Sequence, residues 1–359
     1  MHWLTEFFAR TMLVLGSVAV SLGGLELASR TWRGTDWLTN WPNIVWEERR
    51  ATPMVEPVCA YDHHPQLGWA PSPRFTSELY NIGPDRLRRM PPLPPGAAPT
   101  PAILATGDSF TEGDEVADDE AWPAYLQELA GRRVINAGVG GFGLDQTVLQ
   151  TELMVAKYEV AVAVVGFIVD DLRRNELSRS WSFDKPYFEL VGEELRLRNF
   201  PVPPPRAACD SLPFWQRLLG WSVLIDTVAR RQGWMLAWIF DDVQALPPGT
   251  GDTLACPLMR RLSSLPVPVL VVAQYDRTVW GHGVAREREQ HAEALQVLRC
   301  ASEAGLATLD TFDAVETAID EQGVDSLYLY GHHSAAGNRL IAHVIAAELA
   351  RLRLLPGLD

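Results

Sequence analysis

A serine in a glycine-containing turn is the first residue whose position suggests chemistry. Ser109 lies in the segment GDSFTEG at 107–113, directly after an apolar run at 103–106. In a doubly wound α/β sheet, ligands bind beyond the carboxyl ends of the strands, which is where a nucleophile is needed. The same position also suits a serine that only caps a helix. Ser109 is therefore a candidate nucleophile whose role depends on other residues.

Two further segments could complete such a site. The segment NAGVGGFG at 136–143 follows a second apolar run, and its glycines allow main-chain N–H groups to approach a substrate oxygen. The segment GHHSAAGN at 331–338 begins the last helical pattern and contains His332. A serine hydroxyl needs a base because its proton must leave as an acyl carbon is attacked. His332 is the candidate base, against the alternative of a surface histidine at a helix start.

The elements that must position these residues alternate along the chain. Short apolar runs typical of buried strands occur at 103–106, 134–137, 160–167, 267–275 and 306–309. Helical patterns occur at 121–130, 144–158, 252–264, 285–304 and 334–354. This alternation predicts an α/β fold with a doubly wound, five-stranded parallel sheet of flavodoxin-like type. The strand ends of such a sheet would bring the serine, the glycines and the histidine to one edge.

Together these segments resemble the SGNH/GDSL hydrolase family. The likeness runs in order over about 102–354, and GDSFTEG with NAGVGGFG is a specific pair of motifs. Upstream, the segments at 61–62, 67–69 and 81–83 look like the lead-in of membrane-anchored bacterial members. The resemblance implies that Ser109 is the nucleophile and His332 the base. It also implies that the main-chain N–H groups of Ser109 and Gly141 supply two of the three oxyanion-hole donors.

At two positions the sequence departs from the family's pattern. The third oxyanion donor is usually an asparagine at the end of the third strand, where this chain has Asp170. A carboxylate only accepts hydrogen bonds, so Asp170 could donate only if it were protonated in an apolar site. The acid that normally precedes the histidine by two or three residues is also missing, because Leu329 and Tyr330 occupy those positions. The nearest candidate acid is Asp325, and without it the site would be a Ser-His dyad.

The N-terminal 33 residues contain the one strongly apolar stretch of the chain. It runs from 11 to 25 and continues to 28 past a single glutamate, and tryptophans crowd the positions after it. Its apolar residues cover every face, which favours a single-pass membrane anchor over a buried helix or a cleaved signal peptide. We expect an extracytoplasmic catalytic domain, although the arginines at 10, 30 and 33 favour the opposite orientation by one residue.

The remaining chain divides into two predicted parts. A Pro- and Trp-rich segment at 34–101 predicts an irregular lead-in, and 102–359 forms the hydrolase-like domain. That domain has an insertion at about 176–250, in which 213–240 carries four tryptophans. This stretch predicts one or two helices packed on the main core, or alternatively a lid or membrane-facing flap.

Charge and cysteine usage exclude several other functions. With 31 Lys and Arg against 45 Asp and Glu, the net charge of −14 is opposite to that of a nucleic-acid binder. The four cysteines show no CxxC spacing, so neither a zinc knuckle nor a dense disulfide framework is indicated, and the redox compartment stays open. No clustered metal ligands and no phosphate-binding glycine motif are found, so no cofactor or metal is expected.

Two functions remain. The first is a membrane-anchored serine esterase or acyl-transfer enzyme acting on an O-acyl group of a small molecule, glycan or lipid. The second is a catalytically weak SGNH-like module that binds a glycan or lipid.

Overall fold

The computed structural model describes residues 2–51, 60–79, 81–205, 212–281 and 284–355. The chain divides into two compact units. One unit comprises Met1–Pro57 and Ala207–Asp242, and the other comprises Val58–Arg206 and Val243–Asp359. The predicted lead-in at 34–101 and the predicted insertion at about 176–250 are therefore each shared between the two units.

Twelve strands and sixteen α-helices are formed by the described residues. The strands are β1 (Tyr61–His64), β2 (Gly68–Pro71), β3 (Ala98–Thr106), β4 (Arg132–Asn136), β5 (Val160–Phe167), β6 (Leu177–Ser180), β7 (Phe183–Asp184), β8 (Tyr187–Val191), β9 (Glu194–Arg198), β10 (Val243–Gln244), β11 (Val269–Ala273) and β12 (Ala307–Asp310). The helices are α1 (His2–Arg33), α2 (Asp36–Thr39), α3 (Ile44–Ala51), α4 (Ser109–Glu112), α5 (Trp122–Ala130), α6 (Leu144–Lys157), α7 (Asp170–Arg174), α8 (Phe214–Leu219), α9 (Val223–Arg231), α10 (Met235–Phe240), α11 (Ala255–Leu262), α12 (Arg277–Gly281), α13 (Val284–Glu303), α14 (Phe312–Gln322), α15 (Val324–Leu327) and α16 (Ala335–Arg351).

A five-stranded sheet forms the centre of the larger unit. Its strand order is β4-β3-β5-β11-β12, and every neighbouring pair is parallel. The central strand β5 reads VAVAVVGF, a near-continuous apolar run as expected for a parallel strand covered on both faces. The prediction of a five-stranded parallel α/β sheet is confirmed.

Helices cover both faces of this sheet. Ile103 and Ala105 of β3 pack in one buried cluster, to which α5 and α16 contribute. Leu104, between them, points the other way and packs in a second cluster with residues of α6, α11 and α13. On that second face the disulfide Cys256–Cys300 joins α11 to α13, with the two Cα atoms 4.6 Å apart. Cys59 and Cys209 lie outside the described residues.

The insertion begins with strands, namely β6 and β7, followed by the antiparallel hairpin β8-β9. Its Trp-rich stretch at 213–240 forms helices, as predicted. These helices, α8 to α10, belong to the smaller unit with α1 and α3. There α9 contacts α1 and α10 contacts α3. A small core of five buried residues stabilises this unit: Val45, Leu212, Ala229, Trp238 and Ile239.

One helix of the smaller unit is long and apolar enough to cross a membrane. The candidate span is Thr5–Arg33 in α1, and no part of its most apolar window is buried inside the protein. The described structure thus leaves this apolar surface without protein cover.

Candidate active site

The turn after β3 presents Ser109 at the first position of α4. A Cβ at Gly107 would lie 2.1 Å from Oγ1 of Thr111 and 2.9 Å from the carbonyl oxygen of Gly166, so only glycine fits before the turn. The Asp108 side chain caps the helix by accepting the N–H of Phe110 at 3.0 Å. Ser109 itself is only 2% exposed. The Gly-Asp-Ser order thus fixes the serine at a strand end in a nearly water-free position.

The structure brings His332 to Ser109. Nε2 of His332 lies 2.9 Å from Oγ of Ser109, a hydrogen-bond distance that a candidate nucleophile and a candidate base would need. The ring of Phe110 packs against that of His332 with centroids 5.0 Å apart. Two residues further along the chain, Ser334 caps α16 by accepting the N–H of Gly337. The imidazole ring of His332 is thereby positioned by the ring of Phe110 and by the capped N-terminus of α16.

Glu115, and not Asp325, is the acid beside this histidine. Oε1 of Glu115 lies 3.1 Å from Nδ1 of His332, and the N–H of Gly331 donates to both carboxylate oxygens. Asp325 is 83% exposed in α15, and its carboxylate pairs with the guanidinium of Arg277 instead. The expectation for Asp325 is therefore corrected: α15 directs its side chain away from the histidine. Glu115 went unnoticed in the sequence because it follows the serine by six residues and does not precede the histidine.

The charges of this pair shift both pKa values. Burial alone would lower the pKa of His332. The hydrogen bond to Glu115 and the charges of Asp114, Glu115 and Asp108 outweigh burial and leave this pKa raised. Burial would raise the pKa of Glu115, but the hydrogen bonds and charge of His332 outweigh burial and lower it. Glu115 is therefore the ionised partner that stabilises a protonated imidazole.

Arg88 holds the loop that carries Glu115. Its fully buried guanidinium donates to the carbonyl oxygens of Glu112 and Gly113 on one side of Glu115 and of Val116 on the other. Glu115 has a backbone φ of +70°, in the left-handed region that a residue with a side chain rarely adopts. The three bonds from Arg88 stabilise this conformation, and no sequence pattern signals that role.

The glycine loop after β4 supplies the candidate oxyanion donors. Gly141 has a φ of +75°, and within the described chain the main-chain N–H groups of Ser109 and Gly141 are used in no hydrogen bond. The neighbouring Gly140 is fixed on both sides, because its N–H donates to Oε2 of Glu112 at 2.6 Å and its carbonyl accepts Nε1–H of Trp69 at 3.0 Å. The loop is therefore pre-organised without consuming the N–H of Gly141.

Glu112, which anchors that loop, is a buried carboxyl group. Tyr61 donates its hydroxyl to Oε2 of Glu112 at 2.7 Å, and Oε1 has no partner among the described residues. Burial, followed by the charge of Asp114, raises the pKa of Glu112 to about 8. Glu112 is consequently protonated at neutral pH and acts as a neutral acceptor.

Asp170 does not have the environment of an oxyanion donor. Its two carboxylate oxygens lie 2.9 Å from Nε of Arg173 and 2.9 Å from Nη2 of Arg174. Burial raises its pKa, but the charges of Arg174 and Arg173 prevail and lower it to about 2. The expectation that Asp170 could donate in a protonated state is therefore corrected, because its two arginine partners keep it ionised and acceptor-only.

Arg174 joins three parts of the site. Its Nη1 donates to Oδ1 of Asp171 at 2.6 Å, to the carbonyl of Phe142 at 3.1 Å and to Oδ2 of Asp108 at 3.4 Å. The helix cap beside the serine, the end of the glycine loop and α7 are thus tied through one buried cation. The Asp170 carboxylate completes its coordination.

Comparisons with known proteins find similar chains among solved structures. No family model and no curated protein matches the sequence. Among solved structures, an α/β hydrolase from the metagenome of Lake Arreo in Spain is 14% identical and covers 70% of this chain and 95% of its own, with a TM-score of 0.43. An acetylxylan esterase from Geobacillus stearothermophilus is 16% identical, with 71% and 96% covered and a TM-score of 0.41. A lipolytic G-D-S-L family protein from Veillonella parvula is 12% identical, with 70% and 97% covered and a TM-score of 0.38.

The chain's own features are more specific: Ser109 directly follows the first strand of the five-stranded sheet, and His332 directly precedes its last helix. This strand order and these motif positions are the arrangement that the resemblance to SGNH/GDSL hydrolases implies for the larger unit.

Proposed function

We propose that the protein is a membrane-anchored serine esterase or acyl-transfer enzyme that cleaves an O-acyl ester of a glycan or lipid. One observation carries the proposal: Ser109, His332 and Glu115 form a hydrogen-bonded chain with steps of 2.9 and 3.1 Å. A serine hydroxyl, an imidazole and a carboxylate in this order are the groups that acyl transfer through serine requires.

In the proposed reaction, Oγ of Ser109 attacks the acyl carbonyl carbon while Nε2 of His332 takes the hydroxyl proton. The N–H groups of Ser109 and Gly141 donate to the oxyanion of the tetrahedral intermediate. His332 then returns the proton to the leaving alcohol as its bond to the acyl carbon breaks. Water, or a second alcohol, attacks the acyl-enzyme by the same steps in reverse and frees Ser109. Glu115 stabilises the imidazolium that exists between the two proton transfers.

The indole ring of Trp181 lies beside the glycine loop, because a Cβ at Gly141 would lie only 3.1 Å from its Cδ1 and Nε1. We propose that this ring limits the space for the acyl group. Acetyl esters should then be cleaved faster than long-chain esters.

The proposed location is a membrane surface facing an oxidising compartment. The apolar helix α1 supports anchoring by length and composition. The disulfide Cys256–Cys300 supports an extracytoplasmic position of the larger unit, because disulfides persist mainly outside the reducing cytoplasm.

The test is active-site labelling of the full-length chain in detergent with a fluorophosphonate probe, followed by hydrolysis of acetyl and long-chain p-nitrophenyl esters and acetylated sugars. Ser109→Ala and His332→Ala should each abolish labelling and reduce turnover by a factor of about 10⁴. Ser263 is an exposed serine at the end of α11, and Ser263→Ala is therefore the matched control. This variant should be labelled and should hydrolyse esters as the wild type does.

The second candidate is the catalytically weak binding module. The observation that favours it is the ionised carboxylate of Asp170 where an amide donor is usual. A folded protein that is neither labelled nor active on any of these esters, but binds an acetylated glycan or lipid, would establish this alternative.

A further inference from the structure

The smaller unit exposes large apolar side chains on the helices that follow residue 212. Phe214 and Leu218, one helical turn apart on α8, are 71% and 62% exposed. Trp221, between α8 and α9, is 48% exposed, and Trp234, before α10, is 61% exposed. We call these four residues the apolar face. Large apolar side chains this exposed and this close in sequence mark an interaction surface rather than ordinary solvent-exposed residues.

The start of α9 is fastened to the end of the apolar stretch in α1. Glu26 accepts hydrogen bonds from Oγ of Ser222 at 2.7 Å and from the N–H groups of Val223 and Leu224 at 2.9 and 3.0 Å. Glu26 directly follows Leu25, the last residue of the apolar run at 11–25. The N-terminus of α9 therefore lies close to the C-terminal end of the candidate span in α1, where that helix would leave a bilayer.

A second tie, one helical turn further along α1, fixes the connection before α9. Nη2 of the buried Arg30 donates to the carbonyl oxygen of Trp221, and its Nη1 donates to that of Trp37 at 2.8 Å. Its guanidinium also lies 3.4 Å from the ring centroid of Trp41. Since α1 rises about 1.5 Å per residue, Arg30 is only about 7 Å beyond Leu25. Trp221 is thus held at the depth of the lipid headgroups.

Residues around the apolar face have the chemistry of a membrane interface. Trp32 is 75% exposed at the end of α1, and the guanidinium of Arg231 lies 5.6 Å from its ring. Arg217, between Phe214 and Leu218, is exposed as well. Tryptophans with arginines are typical of the headgroup region, where the rings enter the interface and the cations meet anionic lipids.

We infer that the apolar face is a second membrane contact, which rests in the headgroup region of the same bilayer that α1 spans. The inference depends on the proposed anchoring by α1. The partner of this face is a lipid surface, because the bonds of Glu26 and Arg30 join the face to α1 near the end of its apolar stretch. Long insertions usually carry substrate contacts, whereas this one fixes the smaller unit on the membrane plane.

The experiment places an environment-sensitive fluorescent amino acid at single positions of the full-length chain by codon suppression, so that the cysteines stay unchanged. The chain is reconstituted in phosphatidylcholine vesicles containing phosphatidylglycerol. The quencher is attached near the lipid headgroup for positions 47, 218 and 234, and to the end of the acyl chain for position 18, which lies in the middle of the apolar run. Position 218 tests the apolar face and position 18, within α1, tests the anchor. Position 47, an exposed glutamate in α3, is the matched aqueous reference.

Quenching of roughly half of the fluorescence at 218, with little at 47, is expected because interfacial helices lie about 5–10 Å deep. Position 234 should behave like 218, which keeps the test valid if one variant folds poorly. Strong quenching at 18 with none at 218 and 234 overturns the inference and leaves the anchor intact. Absence of quenching at 18 overturns the anchor and the inference together. A concentration-dependent blue shift at 218 without lipid quenching would assign the face to a second copy of the chain.

Discussion

Replacing Glu115 with glutamine removes the negative charge that lies 3.1 Å from Nδ1 of His332. Both side chains are mostly buried, with 11% and 13% of their surfaces exposed, so solvent screens the pair only partly. A pair of unit charges about 4 Å apart near a protein surface interacts by about 4 kcal/mol. The charge on the imidazole is fully developed when it holds the proton of Ser109. Because about 1.4 kcal/mol corresponds to tenfold in rate, kcat/KM should fall roughly 10³-fold.

The pH profile of the same variant should move in a defined direction. The imidazole must be neutral to act as base, so activity in the wild type rises as pH increases through the raised pKa of His332. Glu115→Gln removes one of the charges that raise this pKa and weakens the hydrogen bond to His332, because the amide oxygen that accepts it is neutral. The acidic limb of the kcat/KM profile should therefore shift to lower pH while the plateau falls.

Asp325→Asn is the matched control for this assay, run with p-nitrophenyl acetate from about pH 5 to about pH 9. Asp325 is exposed and paired with Arg277, and such surface pairs contribute about 0–1 kcal/mol, so both rate and pH profile should stay near wild type. If Asp325→Asn lost as much activity as Glu115→Gln, or if Glu115→Gln kept its rate and profile, the assignment of Glu115 would be refuted.

Four other changes have defined outcomes. Arg88→Met removes three hydrogen bonds to carbonyl oxygens around Glu115. It should lower kcat/KM at least about tenfold and shift the acidic limb of the pH profile to lower pH, as Glu115→Gln does. A fall in Tm without that shift would contradict a positioning role for Arg88. Glu112 holds a proton up to about pH 8 in the folded state but only up to about pH 4.5 in the unfolded state. The Tm of the wild type should therefore fall as pH rises between these two values. The Tm of Glu112→Gln should fall less steeply over the same range, because glutamine does not titrate. Asp170→Asn should leave the acylation rate without an increase, although an added oxyanion donor would lower the barrier to acylation by roughly 3 kcal/mol. Cys300→Ser opens a disulfide of sequence separation 44 and should lower the free energy of unfolding by about 4 kcal/mol in denaturant titration.

The sheet could be predicted because its strands carry their own signal. Apolar runs such as 160–167 are continuous where both faces of a parallel strand are covered, and the predicted strands correspond to β3, β4, β5, β11 and β12. The positions of Ser109 and His332 followed from motifs at the ends of these elements. Short strands such as β9, which reads ELRLR, could not be predicted in the same way because charged residues interrupt the apolar pattern.

Long-range contacts left no such signal. The bond between Glu26 and the start of α9 joins residues almost two hundred positions apart, and neither end has a pattern that reveals the other. The pairing of Glu115 with His332 is of the same kind, since it depends on a left-handed residue held by Arg88. The sequence alone offers only a local spacing before the histidine as a guide to the acid, whereas proximity in the folded chain requires no such spacing.

The place of Glu115 has a consequence for recognising related enzymes in sequence data. Under the proposed mechanism the acid lies on the serine's own loop, so neither Leu329 nor Tyr330 needs to be acidic for His332 to have a carboxylate partner. A search that demands an aspartate just ahead of the histidine would discard such chains as inactive. A search for serine followed six positions later by glutamate, together with a buried arginine able to hold that loop, would retain them. Hydrolase-like proteins without an acid before the histidine could then be divided into two groups: those with no acidic partner for the histidine, and those in which a glutamate on the serine's loop takes that position.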